Sequence, residues 1–152
     1  MGSSLILDNN FDNLNFSSLR IGIIQSEWNS KITNLLMTSC RNYFLEIGIN
    51  DKNITTRKVP GSMELVYASN HMFFNHDVDG IVILGCIIKG ETDHDKYIAN
   101  AVSKGLVSVS LSHNKPISFG LLTTNNFKQA ISRSGGGKES AYTLLKMLNL
   151  DW

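Results

Sequence analysis

The sequence predicts an α/β protein: a three-layer α/β/α sandwich around a four-stranded, mainly parallel sheet. Three observations carry this. Short β-rich apolar runs alternate with helical stripes along most of the chain, the pattern of strands joined by right-handed helical crossovers. The run Gly80–Gly85 (GIVILG) is apolar on both faces, as a strand covered by helices on both sides must be. The chain has 152 residues, 42% of them hydrophobic, which is the length of one domain with a core of its own.

Residues 8–18 (DNNFDNLNFSS) hold four asparagines and no sustained periodicity. Residues 1–18 therefore read as an N-terminal arm outside the core, and 19–152 as the single domain. Leu19–Gln25 (LRIGIIQ) is the first strand candidate. Ser30–Ile47 follows, with Ile32, Leu35, Leu36, Cys40, Tyr43, Phe44 and Ile47 at helical spacing. Asn29 or Ser30 can cap its start and Gly48 can end it. Ile54–Val59 is a second strand, stopped by Pro60–Gly61, and Met63–Phe74 a short helix. After GIVILG and a loop, Asp95–Leu111 places Ile98, Ala101, Val102, Gly105, Leu106 and Val109 on one stripe. Pro116 opens the fourth strand, Ile117–Leu122. Two helices, near Asn125–Ser134 and Lys138–Leu148, close the chain with Gly135–Gly137 between them.

Charge narrows the function classes. Lys and Arg number 14 against 13 for Asp and Glu, so no bulk field draws the chain to nucleic acid or an anionic membrane. Only 18% of residues are charged, which suits a surface partly hidden in an oligomer. Two cysteines, Cys40 and Cys86, make no disulfide framework, so a cytoplasmic location is expected. Met1–Ser4 carries no positive region ahead of Leu5–Leu7, so no secretory leader is expected either, and no apolar run has membrane-spanning length.

In sheets of this kind ligands bind beyond the carboxyl ends of the strands, so residues there are the site candidates. Strand one runs into Ser26-Glu27-Trp28-Asn29. Trp28 either packs under the first helix or offers a flat face to a planar heterocycle. Strand two ends in Val59-Pro60-Gly61-Ser62-Met63-Glu64. Glu64 in a first helical turn favours the dipole, and with Ser62 it can equally hold the hydroxyls of a polyol. Strand three leads to Cys86-Ile87-Ile88-Lys89-Gly90-Glu91-Thr92-Asp93-His94. Glycine, a hydroxyl and free amides at a helix start suit phosphate, and His94 beside them suits proton transfer. Cys86, Asp93, His94 and Asp95 match no zinc spacing, so no metal is expected. His71, His76 and His113 read as surface residues without companions. Phe119 reads as core, and Arg133 would have to reach a phosphate on another strand or another subunit. Walker A, G-x-G-x-x-G and G-x-S-x-G patterns are absent, as is a phosphate loop after strand one, which leaves flavodoxin-type electron transfer, classical nucleotide binding and serine hydrolysis without support.

Four blocks, SEWN at 26–29, VPGSMEL at 59–65, LGCIIKGETDHDKYIANAVSKGL at 84–106 and PISFGLLTTNNFKQAISRSGG at 116–136, stand in an order and spacing that resembles the 6,7-dimethyl-8-ribityllumazine synthase family of riboflavin biosynthesis. The resemblance implies a flavodoxin-like domain that builds a homopentamer with its site between subunits. It implies condensation of 5-amino-6-(D-ribitylamino)uracil with 3,4-dihydroxy-2-butanone 4-phosphate, releasing water and phosphate, without metal or cofactor. Carried over by motif, Trp28 stacks on the pyrimidine, Ser62 and Glu64 meet the ribityl chain, and the backbone at Ile87 and Ile88 holds the pyrimidine edge, with Met63 and Cys86 completing that lining. Glu91 and Thr92 match the phosphate loop and His94 the proton-transfer residue. Phe119 and Arg133 match residues supplied by the neighbouring subunit. Partners implied are the two substrates, further copies in a pentamer or an icosahedral shell of pentamers, and riboflavin synthase.

The chain departs from the family pattern in three places. The family's loop after the Arg normally ends in Asn-Lys-Gly; Arg133–Ser140 (RSGGGKES) is shorter, leaving Lys138 as the cation for the phosphate. Asp95–Lys96 replaces a Phe-Asp pair, and Met63 stands where Phe is common. An alternative of another class is a protein that binds a lumazine or flavin on the same scaffold without making it.

Overall fold

The structure is a computed structural model and describes residues 5–152. Its elements are β1 (Ile21–Ser26), α1 (Ser30–Glu46), β2 (Ile54–Val59), α2 (Glu64–Asn75), β3 (Gly80–Ile88), α3 (His94–His113), β4 (Ile117–Thr124), α4 (Phe127–Ser132) and α5 (Gly137–Asn149). Short 3₁₀ turns at Asp51–Asn53 and Ser134–Gly136 join α1 to β2 and α4 to α5. The sheet order is β2-β1-β3-β4 and every pairing is parallel. Strand alternation sorts the side chains into two cores. Ile21, Ile23, Val82, Leu84 and Cys86 pack with α1 and α5, through Leu36, Phe44, Leu144 and Leu145. Ile24, Ile81, Ile83 and Ile87 pack with α2 and α3, through Leu65, Met72, Val102 and Leu106. The three-layer expectation holds.

The chain leaves β1 towards β2 and then crosses back to β3, so β1 and β3 flank the point where the winding reverses. Their carboxyl ends are the natural mouth of a binding crevice.

Several expected boundaries move, each for a physical reason. β3 runs on by three residues, Cys86, Ile87 and Ile88, because Leu122, Thr123 and Thr124 pair with them, and β4 runs on by two, Thr123 and Thr124. Gly135–Gly137 is no open linker. A Cβ on Gly137 would lie 1.9 Å from the Leu36 carbonyl oxygen, so the residue is a contact point between α5 and α1. Gly48 does end α1: it takes φ 107°, its N–H donates to Leu45 and the Ile49 N–H donates to Phe44, a Schellman arrangement.

The arm differs more. Its described residues, 5–18, form no helix or strand, yet Phe11 is buried against Tyr142 and joins the α1/α5 core. Asn13 donates two hydrogen bonds to Asn149, from its N–H to Oδ1 and from its side-chain amide to the carbonyl, and Lys146 donates to Asp8 and to the Asn10 carbonyl. Polar spacing hid a single aromatic anchor. The histidine expectation also needs correction. His113 is half-buried, 2.8 Å from Asn70 and against the Phe73 and Phe74 rings, while His71 stacks on Tyr67.

Candidate active site

The turn after β1 is stitched to the turn after β2. Glu27 N–H donates to the Val59 carbonyl at 2.8 Å and Trp28 N–H to the Pro60 carbonyl at 3.0 Å. This brings the Trp28 ring beside Gly61. A Cβ there would meet Trp28 Cδ1 at 3.3 Å and Glu64 Oε2 at 2.9 Å, so the bare glycine lets indole and carboxylate approach each other over the backbone. Asn29 ties this corner to β3. Its backbone is left-handed at φ 59°, and its side-chain amide, instead of capping α1, donates to the Cys86 carbonyl at 2.9 Å. On the far side, Lys89 N–H donates to the Thr124 carbonyl and fixes the exit of β3. Thr92 Oγ1 accepts from His94 N–H at 3.3 Å, at the start of the 20-residue α3.

These fastenings enclose a cleft of about 510 Å³. Trp28, Ser62, Met63, Glu64, Cys86, Ile87, Ile88, Thr92 and His94 all line it. Nine of the predicted residues are thus brought together at the carboxyl ends of β1, β2 and β3. Trp28 is 72% exposed and available to stack, and His94 is open to solvent. Cys86 contributes no thiolate: burial raises its thiol to about 11, so it lines the wall as a neutral group. Asp93 places no side-chain bond on the first turn of α3; the His94 N–H is taken by Thr92 Oγ1 and the Lys96 N–H by the Asp93 carbonyl, which leaves the Asp95 N–H for an anion among the described residues.

The other predicted residues lie apart. Glu91 is exposed on the loop beside the cleft without lining it. Phe119 and Arg133 line a different cavity, of about 720 Å³, with Leu36, Gly136, Glu139 and Ser140. Lys138 lines neither, its Nζ resting 5.7 Å from the centre of the Tyr43 ring. Five lining residues were not among the predicted site residues: Gly61 and Gly90, read only as backbone features, and the side chains of Asn29, Asp95 and Ile98. Asn29 was legible only as a cap, because its hold on Cys86 needs a partner distant in sequence.

The family model described as 6,7-dimethyl-8-ribityllumazine synthase matches residues 18–151. A protein of that name from Cytophaga hutchinsonii is 44% identical over 139 residues, covering 88% of this chain and 87% of that one. Another from Bacteroides fragilis is 38% identical over 139 residues, covering 88% and 97%. A third, from Paracidovorax citrulli, is 38% identical over 140 residues, covering 91% of each. The chain belongs to the lumazine synthase family.

The loop bordering the cleft of a single chain carries more negative than positive side chains. It holds Lys89 and Lys96 against Glu91, Asp93 and Asp95, two cations to three carboxylates, and Lys96 is already 3.4 Å from Asp93. A phosphate dianion placed there needs a further cation.

Proposed function

We propose that this chain condenses 5-amino-6-(D-ribitylamino)uracil with 3,4-dihydroxy-2-butanone 4-phosphate to 6,7-dimethyl-8-ribityllumazine, and that it does so as a cytoplasmic homopentamer. The observation that carries the reading is the cleft itself, where an open indole, a serine–glutamate pair, a strand end and a histidine converge on one volume. Trp28 stacks on the pyrimidine while the backbone at Ile87 and Ile88 takes its edge. Ser62 and Glu64 hold ribityl hydroxyls, with Met63 and Cys86 as apolar wall. The Asp95 N–H and the Thr92 hydroxyl, next to Glu91, take the phosphate.

The substrate amine attacks the ketone and a Schiff base forms with loss of water; a proton is removed as phosphate leaves, and the ribitylamino nitrogen attacks the carbonyl so formed, closing the ring with loss of a second water. None of these steps needs a protein nucleophile. Holding two reactants in register supplies up to roughly 7–11 kcal/mol of the barrier in ideal cases, and His94 passes protons to and from the reacting atoms.

The missing cation comes from a neighbouring copy. Arg133 and Phe119 lie on a separate cavity of their own chain, so they serve the cleft of the next protomer, one at the phosphate and one at the ring. Exposed Val107, Leu111 and Phe119 border a shared apolar depression along α3 and the β4 edge, as a ring interface requires. Lys138 serves the phosphate in the same way. The non-catalytic alternative has no observation in its favour. Mixing the two substrates with the protein tests the reading: lumazine fluorescence and equimolar phosphate appear if it holds, and product binding without turnover overturns it.

A further inference from the structure

One oxygen in the cleft has no partner. Asp95 sits in the first turn of α3 and lines the cleft beside His94, yet its Oδ1 is sealed from water and accepts no hydrogen bond among the described residues. A carboxylate at this helical position ordinarily binds the free amides of the turn or stays in solvent. Here that oxygen does neither, and a shielded acceptor without a donor is costly enough to favour any rotamer that finds one. His94 is not that donor, because adjacent residues on a helix point to different faces. Ile98, three residues after Asp95 and four after His94, also lines the cleft, so the two polar side chains flank it from either side.

We propose that Asp95 is a substrate-binding residue that turns into the cleft to accept a hydrogen bond from an amine or hydroxyl of the aminopyrimidine substrate. This rests on the function proposed above. The chemistry selects between the two substrates. The ketone carries a phosphate, rich in acceptors and repelled by a carboxylate, whereas the pyrimidine with its amine and polyol chain is rich in donors. Asp95 therefore discriminates for the pyrimidine and leaves the ketone phosphate nearly untouched.

Steady-state kinetics of Asp95→Ala and Asp95→Asn, with direct titration of the pyrimidine alone, test this. Loss of a hydrogen bond to a charged acceptor should raise the pyrimidine KM and Kd about ten- to a hundredfold in Asp95→Ala. The KM for the ketone phosphate stays near wild type, and Asp95→Asn, which keeps an acceptor oxygen and the shape, falls between. Unchanged pyrimidine binding in Asp95→Ala, or an equal rise in both KM values, overturns the proposal. Wild-type turnover, read in the same assay, separates that failure from failure of the enzymatic reading.

Discussion

His94 stands at the start of α3 with its side chain open to solvent and its N–H held by Thr92 Oγ1. An imidazole so placed can move protons on a bound ligand without being needed to hold it. His94→Ala should therefore lower kcat about 10²–10³-fold while the pyrimidine titrates nearly as in wild type. Pyrimidine affinity lost with turnover intact would contradict the role. At this scale much of the site was legible in the sequence. Trp28, Ser62, Glu64 and His94 each follow a strand, and in a parallel sheet that position alone places them at the crevice. Asn29 and Asp95 were not, since one depends on a left-handed backbone reaching another strand and the other on the absence of a donor. Neither leaves a trace in spacing.

The elements were legible in kind and less so at their ends. An apolar run on both faces marked β3, but its last three residues are held by pairing with β4, a long-range cause that local pattern does not carry. The arm was misread for the opposite reason: one buried Phe11 among asparagines outweighs the composition around it. The glycines between α4 and α5 read only as a separation of two helices, because nothing local says that α1 passes against Gly137. Gly137→Ala forces a methyl onto the Leu36 backbone, where no side chain can yield. It should cost about 2–3 kcal/mol and lower the melting temperature by several degrees. Gly135→Ala, with open space at that position, should leave it unchanged. Equal melting of both variants would show that α1 and α5 are not packed this closely.

For the molecule as a whole, buried acids set an alkaline limit. Burial raises Cys86 from 9.0 to about 11, and burial, helped by Tyr142 and Asp8, raises Tyr43 from 10.0 to about 12. Both groups are protonated in the fold and ionise more easily once unfolded. Their contribution is complete below about pH 9 and is lost as pH rises through 11 and 12. The urea midpoint should hold steady from pH 7 to 9 as far as these groups act and fall beyond it. A midpoint unchanged at pH 11 would show that neither group is shielded.

Charge at the same scale supports the proposed sharing of a site between copies. The cleft loop is short of cations, Arg133 lies on another cavity, and 18% charged residues leave apolar surface to cover. Assembly was legible only through resemblance and that low charge, because an interface between copies has no periodicity of its own. Mixed assembly of two variants reads it out directly. His94→Ala and Arg133→Ala chains, each nearly inactive alone, are unfolded together in equal amounts and refolded. If the cleft of one copy uses the arginine of the next, random rings regain about a quarter of wild-type turnover, at interfaces where an intact His94 meets an intact Arg133. Mixed rings that stay as inactive as either parent would contradict a site shared between copies.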